Sequence, residues 1–298
     1  MKRNNLPGIA VFAYNRPKHF QKTLYYLKKN LNSKKFDIFL FCDGSKKKND
    51  FNVKEVHRIA KSLNHFNSKK IYLRKKNLGL ANSLFEGIST VFNYKESIII
   101  LEDDIITNKY FLNYMSNALA FHEKNRLVGS VTGYSYTNPQ KYSENLTYLS
   151  QRHASWGWGT WKSLWKNMNW NKKFIKKKME QKNFKSKFNL SGKDMYPMLK
   201  EAVENKIDTL DILFNFNCFI LNKYCVCPKK SLLYNIGFDG SGIHCKKGDK
   251  VFSNYSKYFK VTKFVKLSVN SKILNQIKYS FQTPLFLRII NKIKKILL

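Results

Sequence analysis

Three consecutive carboxylates, Glu102-Asp103-Asp104, follow the apolar run Ser97-Ile98-Ile99-Ile100-Leu101. Acids crowded at the end of a buried strand repel one another, and burial raises the cost of ionising them together. A hard divalent cation, Mn2+ or Mg2+, bound by carboxylate, water and phosphate oxygens would relieve that repulsion. The competing reading is electrostatic support for the N-terminus of a helix beginning near Asn108. Other polar groups also stand where apolar runs stop. Asn15-Arg16 follows Gly8–Ala13, and Asp43-Gly44-Ser45 follows Phe36–Cys42. A Trp-rich segment, Ser155-Trp156-Gly157-Trp158-Gly159-Thr160-Trp161, offers flat apolar faces that could stack on sugar rings, or could simply fill a core. A second Gly-rich stretch, Asn235 to His244, carries Asp239 and His244; a neutral imidazole there could complete a metal shell or serve only the loop.

The elements that position these groups follow from periodicity. Gly8–Ala13 reads as a buried strand, and Phe36–Cys42, Lys70–Arg74 and Ser97–Leu101 as a second, third and fourth strand. Between them lie helical stretches: Lys18–Leu31 with Phe20, Leu24, Leu27 and Leu31 on one face, Val53–Phe66, and a third after Asn77-Leu78-Gly79-Leu80-Ala81. Strand and helix alternating at this rhythm predict an α/β fold with a mostly parallel sheet flanked by helices. Ligands of such sheets gather at the carboxyl ends of the strands, where the polar clusters fall. Farther on, Asn108–Glu123 and Asp211–Leu221 are predicted helices and Leu127–Thr132 a strand; Lys172–Lys187 is a highly basic exposed helix or loop. A single catalytic domain over residues 1–254 with a basic amphipathic segment over 255–298 accounts for the whole chain.

At 298 residues with 43% hydrophobic and 15% aromatic content, the chain has ample material for a core, which excludes wholesale disorder. Fifty-five Lys and Arg against 19 acids give a formal charge of +36, which favours anionic partners. Part of that excess is solvated surface. The five cysteines, Cys42, Cys218, Cys225, Cys227 and Cys245, show no C-x-x-C spacing and fit a reduced, cytosolic compartment. The apolar run Ile9–Tyr14 is too short for a signal-peptide core, and no apolar run reaches the roughly 18 residues of a membrane span. The tail after Pro284 instead places Leu285, Phe286, Ile289, Ile290, Ile293, Ile296 and Leu297 on one helical face and Arg288, Lys292 and Lys295 on the other. That pattern suits a helix lying on an anionic membrane surface, or one packed on the domain.

Ile9–Pro17 (IAVFAYNRP), Phe41–Ser45 (FCDGS), Asn77–Ala81 (NLGLA) and Ile100–Asp104 (ILEDD) resemble, in order, the landmarks of GT-A nucleotide-sugar glycosyltransferases, and the E-D-D matches their D-x-D type metal motif. Trp156–Trp161 (WGWGTW) and Asn235–Cys245 (NIGFDGSGIHC) resemble bacterial family 2-like transferases of surface-polysaccharide loci, which are similar to the N-acetylglucosaminyltransferase I group. This resemblance implies a GT-A fold and metal-dependent transfer of a sugar, with inversion, from a UDP-linked donor to a hydroxyl of a surface glycan or lipid-linked acceptor. It implies Asp104 as direct metal ligand and Glu102 and Asp103 at ribose or metal-bound water. Asp43 falls at the uracil or ribose, Asn15, Arg16 and Asn77 around the nucleotide, and Trp156, Trp158 and Asp239 at the substrates. His244 falls at the diphosphate or metal. It also implies Asp211 as the general base, although Leu210 stands where relatives carry Trp; Asp208 and Asp239 are rivals for that role, and a helix cap is the structural alternative.

Two other functions compete. A nucleotidyltransferase also sets carboxylates and metal on an α/β sheet, but no Gly-rich phosphate loop follows the first strand. A nucleic-acid-binding protein would suit +36, but zinc spacing, RNP aromatics and a clear helix-turn-helix are all missing, so no specific nucleic-acid partner is expected.

Overall fold

In the computed structural model, which describes residues 6–137, 139, 143–240 and 254–281, the four predicted strands form side by side. They are β1 (Gly8–Ala13), β2 (Asp37–Cys42), β3 (Ser68–Leu73) and β4 (Ser97–Glu102). All pair in parallel, β1 lying between β2 and β4. Their side chains alternate between two cores, as the pleat requires. Ile9, Val11, Ile38, Leu40, Ile99 and Leu101 face one way, and Ala10, Phe12, Phe39, Phe41, Ile98 and Ile100 the other. Both faces of β1, β2 and β4 are covered, which is why these three are near-continuous apolar runs rather than alternating ones; β3, at the sheet edge, is exposed over Ser68, Lys69 and Lys70.

Helices α1 (Pro17–Lys28) and α2 (Phe51–Ser62) cover the first face and α3 (Leu80–Val91) the second. Pro17 opens α1 at a position where no backbone donor is lost. Asp50 caps α2, accepting from the backbone N–H of Asn52 and Val53 at 3.0 and 3.3 Å. α3 begins after Gly79, whose φ of +80° favours glycine.

The second half completes the sheet. After β5 (Ile105–Thr107) and α4 (Phe111–His122) come β6 (Val128–Thr132), β7 (Thr147–Ser150), β8 (Trp158–Trp161), and, beyond a helical layer, β9 (Tyr224–Pro228). The order across the sheet is β3-β2-β1-β4-β8-β6-β9-β7, with β8 antiparallel to β4 and β6, and β7 antiparallel to β9. The fold is therefore α/β with a mostly parallel sheet, as expected. Strand β8 takes up Trp158–Trp161 of the Trp-rich segment. Its Gly159 lets the backbone come close to β4, because a Cβ there would overlap the carbonyl oxygen of Ile98.

The helical layer comprises α5 (Lys162–Lys166), α6 (Lys172–Met179), α7 (Phe184–Phe188), α8 (Met195–Val203) and α9 (Asp211–Ile220). Ile175, Phe184, Phe188, Leu199 and Phe216 give α6 to α9 a core of their own, while Phe214 of α9 packs on Trp158 of the sheet. A short strand, β10 (Leu233–Asn235), pairs antiparallel with β5 as a separate two-stranded sheet. Residues 254–270 lead to α10 (Ser271–Ser280), whose Ile273 and Ile277 are buried with Leu267 in the main core. The amphipathic stretch after Pro284 lies outside the described residues, as do His244 and Cys245. Among the described residues no helix is long and apolar enough to cross a membrane.

Candidate active site

The register of β1 on β4 sets Phe12 opposite Glu102, so the Asn15-Arg16 loop leaves the sheet beside the acid triplet. Asp103 and Asp104 are only 3% and 5% exposed. Arg16 bridges them: its Nη2 donates to Asp103 Oδ1 and lies 2.9 Å from Asp104 Oδ2. Asp103 is held further by the backbone N–H of Tyr14, and its carbonyl accepts from Thr23 Oγ1 at 2.7 Å. Asp104 Oδ1 is different. It is buried and has no hydrogen-bond partner among the described residues.

The electrostatics match this crowding. Burial pushes the Asp103 carboxyl up to about 6, with Arg16 pulling down and Asp104 pushing up. Burial and then the charges of Asp104, Asp211 and Asp103 hold Glu102 well above the usual carboxylate range. Burial opposes the charge on Arg16, yet Asp103, Asp104 and Glu102 hold its pKa above the ordinary arginine value. Asp211 thus lies near enough to act on Glu102 from the first turn of α9, although 107 or more residues separate it from the triplet in sequence.

A lid of backbone lies over the pair. The β5–β10 pairing sets Asn235 opposite Ile105, and the Ile236 N–H donates to the Asp104 carbonyl at 2.9 Å. A Cβ on Gly237 would overlap Asp104 Oδ2 and press on Asn235 Oδ1 and Arg16 Nη1 at 3.0 and 3.1 Å. Asp239, next along, meets His19 Nε2 of α1 at 3.1 Å, and Phe238 meets the half-buried Trp156 edge-on at 5.8 Å.

Of the residues marked in the sequence, the fold gathers Arg16, Glu102, Asp103, Asp104 and Asp211 at one point, with Asp239 and Trp156 at its rim. Asn15 is half-buried in the β1–α1 loop. Asp43 is braced rather than open: its carboxylate accepts from the backbone N–H of Gly44, Leu78 and Gly79 at 3.0 to 3.2 Å, tying the β2 loop to the start of α3. Asn77 does similar work, donating to the Gly44 carbonyl at 3.1 Å. Trp158 needs correction as a sugar platform. It is 2% exposed within β8, against His153 and Phe214, so no ring face is open to a ligand. Asp208 is likewise a helix cap, since its two oxygens accept from Leu80 N and Ala81 N at 2.7 and 3.0 Å. Sequence reasoning missed Thr23, His19 and Gly237. Gly237 alone had a signal, as a glycine one residue past a short apolar run in a loop already marked.

Among the described residues no three His, Cys, Asp or Glu side chains form a metal cage. A hard divalent cation held by one or two carboxylates together with phosphate oxygens and water needs none. The unpartnered, buried Asp104 Oδ1 is a donor of the right kind, so the residues present fit such an ion.

Residues 9–196, more than half of the chain, match the family described as Glycosyl transferase family 2. No curated protein matches significantly. Among solved structures, a mannosyltransferase from Pyrobaculum calidifontis in complex with GDP-Man and Mn2+ is 14% identical, with a TM-score of 0.39 over 55% of this chain and 47% of that one. TarS of S. aureus, residues 1–349, is 12% identical, with a TM-score of 0.45 over 76% and 60%. A cytidylyltransferase from Leptospira borgpetersenii is 12% identical, with a TM-score of 0.34 over 55% and 63%. The chain spans less than two thirds of the length of each.

Proposed function

Because this chain belongs to glycosyl transferase family 2, we propose that it moves one sugar from a UDP-linked donor to a hydroxyl of a bacterial surface glycan or lipid-linked acceptor, with inversion and with a divalent cation. The observation that carries the reading is the convergence of Arg16, the acid triplet and Asp211 beneath the Gly237 loop, with Asp104 Oδ1 left free to bind.

Each residue then has a task. Asp104, through Oδ1, would hold Mn2+ or Mg2+, with His244, outside the described residues, a further candidate. When bound, the cation supplies positive charge against the leaving diphosphate. Glu102 and Asp103 orient the ribose or metal-bound water. Asn15, and Asn77 and Asp43 through the loops they brace, shape the nucleotide end of the site. Trp156, half-exposed beside Phe238, is the ring available to the sugar. Asp211 takes the acceptor hydroxyl proton as that oxygen attacks C1, and the preorganised groups around the diphosphate need no reorganisation at that moment. Asp239, tied to His19, positions the loop over the donor.

The enzyme would work on a cytoplasmic membrane surface, to which its strong positive charge draws it. A panel of nucleotide-sugars, scored for hydrolysis and transfer with Mn2+ and with EDTA, tests the proposal. We expect turnover of a UDP-sugar that stops in EDTA and returns with Mn2+. Full turnover in EDTA would remove the metal, and turnover of a nucleoside triphosphate with a sugar phosphate would move the enzyme to nucleotidyl transfer.

A further inference from the structure

We infer that Arg16 is a built-in counter-cation of the metal site: it occupies the carboxylate pair while no donor is bound, and it yields Asp104 only when a diphosphate arrives to receive it. The inference rests on the metal role proposed above, and it changes what that role implies. Metal and nucleotide should bind as a pair, and metal alone should bind poorly.

Asp103 and Asp104 are neighbours in sequence, both nearly excluded from solvent, and two like charges held this close repel one another. Arg16 relieves this. One guanidinium nitrogen donates to Asp103 and lies 2.9 Å from Asp104. A guanidinium stays charged in such surroundings and has a fork of donors that suits carboxylates. The relief is incomplete, however. Arg16 reaches Oδ2 of Asp104 and leaves Oδ1 buried without a partner. A seat filled by the right ligand would not leave a carboxylate oxygen stranded, because a buried acceptor without a partner is costly.

A dication on Asp104 and the guanidinium of Arg16 cannot share this space at low cost. Both are cations, they would compete for the same carboxylate, and the Gly237 loop leaves little room to separate. Even a methyl group on Gly237 would touch Asp104 Oδ2 and Arg16 Nη1. Arg16 must therefore swing away as the dication binds. Its side chain is 18% exposed, so the outward path faces the lip of the site, where a donor diphosphate would lie. Phosphate oxygens accept the same bidentate donors as carboxylates. The diphosphate thus gives the displaced guanidinium a new partner, while metal alone would strand it.

The test is Mn2+ binding by the full chain, followed by isothermal titration and by the electron paramagnetic resonance of free Mn2+, with and without UDP. Wild type should bind Mn2+ alone at least tenfold more weakly than in the presence of UDP. Arg16→Met should bind Mn2+ alone at least tenfold more tightly than wild type, and UDP should then add little. Arg16→Lys, which keeps the charge, should behave as wild type. If Arg16→Met folds poorly without metal, Arg16→Met/Asp103→Asn removes one of the two repelling charges and should show the same gain. Wild type that binds Mn2+ with UDP, beside neutral variants that gain nothing for Mn2+ alone, overturns the role of Arg16 and leaves the metal reading standing. Wild type that binds no Mn2+ even with UDP overturns both.

Discussion

Three aspartates compete for the role of base, and their surroundings separate them. Asp208 spends both oxygens on the first turn of α3, and Asp239 is paired with His19. Of the three, Asp211 is the one whose charge raises the Glu102 carboxyl. Asp211→Asn should therefore lower kcat by about 100-fold or more with little change in donor affinity, the usual scale for a positioned base. Asp208→Asn should keep kcat within a few-fold and instead lose about 0.5–2 kcal/mol of stability with its cap; steady-state kinetics and urea unfolding of the two variants read this directly. The reverse pattern would exchange the roles. A residue outside the site sets acid stability. His122 is 1% exposed on α4 and burial pushes its pKa down from 6.5 to about 4. A histidine kept neutral in the fold binds fewer protons than it does unfolded, so its contribution is complete above pH 6.5 and is lost as pH falls toward 4. The difference is worth about 3 kcal/mol. Asp103 and Glu102, whose carboxyls are raised by burial, act with the opposite sign and favour the fold as pH falls. The part due to His122 is therefore read as a difference: between pH 7.5 and 5, urea unfolding should show wild type losing stability relative to His122→Leu.

At the scale of elements, the site is assembled by pairings between distant segments. The β5–β10 pairing joins Ile105 to Asn235 and so lowers Gly237 onto Asp104. Gly79, with φ of +80°, admits Asp208 close enough that a Cβ would lie 2.5 Å from its Oδ2. These long-range pairings decide what a sequence can reveal. The parallel half was legible because β1, β2 and β4 are apolar runs ending in polar residues, and that alone placed Arg16 and the triplet at one edge. The rest was not, because its signals are shared by other structures. The Trp-rich segment alternates large rings with glycine, a pattern equally suited to a sugar platform and to a strand, and only the neighbouring backbone of Ile98 shows why Gly159 is small. Asp43 before Gly44 reads as a ligand contact or as a turn, and the N–H groups that brace it come from residues 78 and 79, beyond the reach of local reasoning. Gly237→Ala measures the lid. The added methyl meets Asp104, Asn235 and Arg16, so we expect a loss of about 1–3 kcal/mol from overpacking and a weaker response of the melting temperature to UDP with Mn2+. A variant as stable and as responsive as wild type would show that the loop sits away from the triplet.

Across the whole molecule, charge is the property that the site does not use up. The formal +36 is spread over the surface, but it is densest on α6 and α7, where Lys172, Lys173, Lys176, Lys177, Lys178, Lys182, Lys185 and Lys187 stand with only Glu180 among them. Most of these ammonium groups are exposed, and the ion pairs of the same layer, Lys200–Glu204 and Lys206–Glu204, use other lysines. The layer packs on α9, the helix that begins with Asp211. Each lysine near an anionic bilayer contributes roughly 1 kcal/mol. Reversing three of them, Lys173→Glu/Lys176→Glu/Lys177→Glu, should then weaken partition onto vesicles of anionic lipid on the order of 100-fold or more, an effect that added salt erodes. The same reversal at Lys28, Lys34 and Lys35, on the far flank beside α1, changes net charge equally and serves as the control. If field alone matters, both triples weaken binding alike. If α6 is the contacting face, the first triple loses far more than the second, while transfer to a water-soluble acceptor analogue is unchanged in both. Equal and undiminished binding by both would mean that the lysines of α6 are a solvated face and that vesicle binding arises elsewhere in the chain.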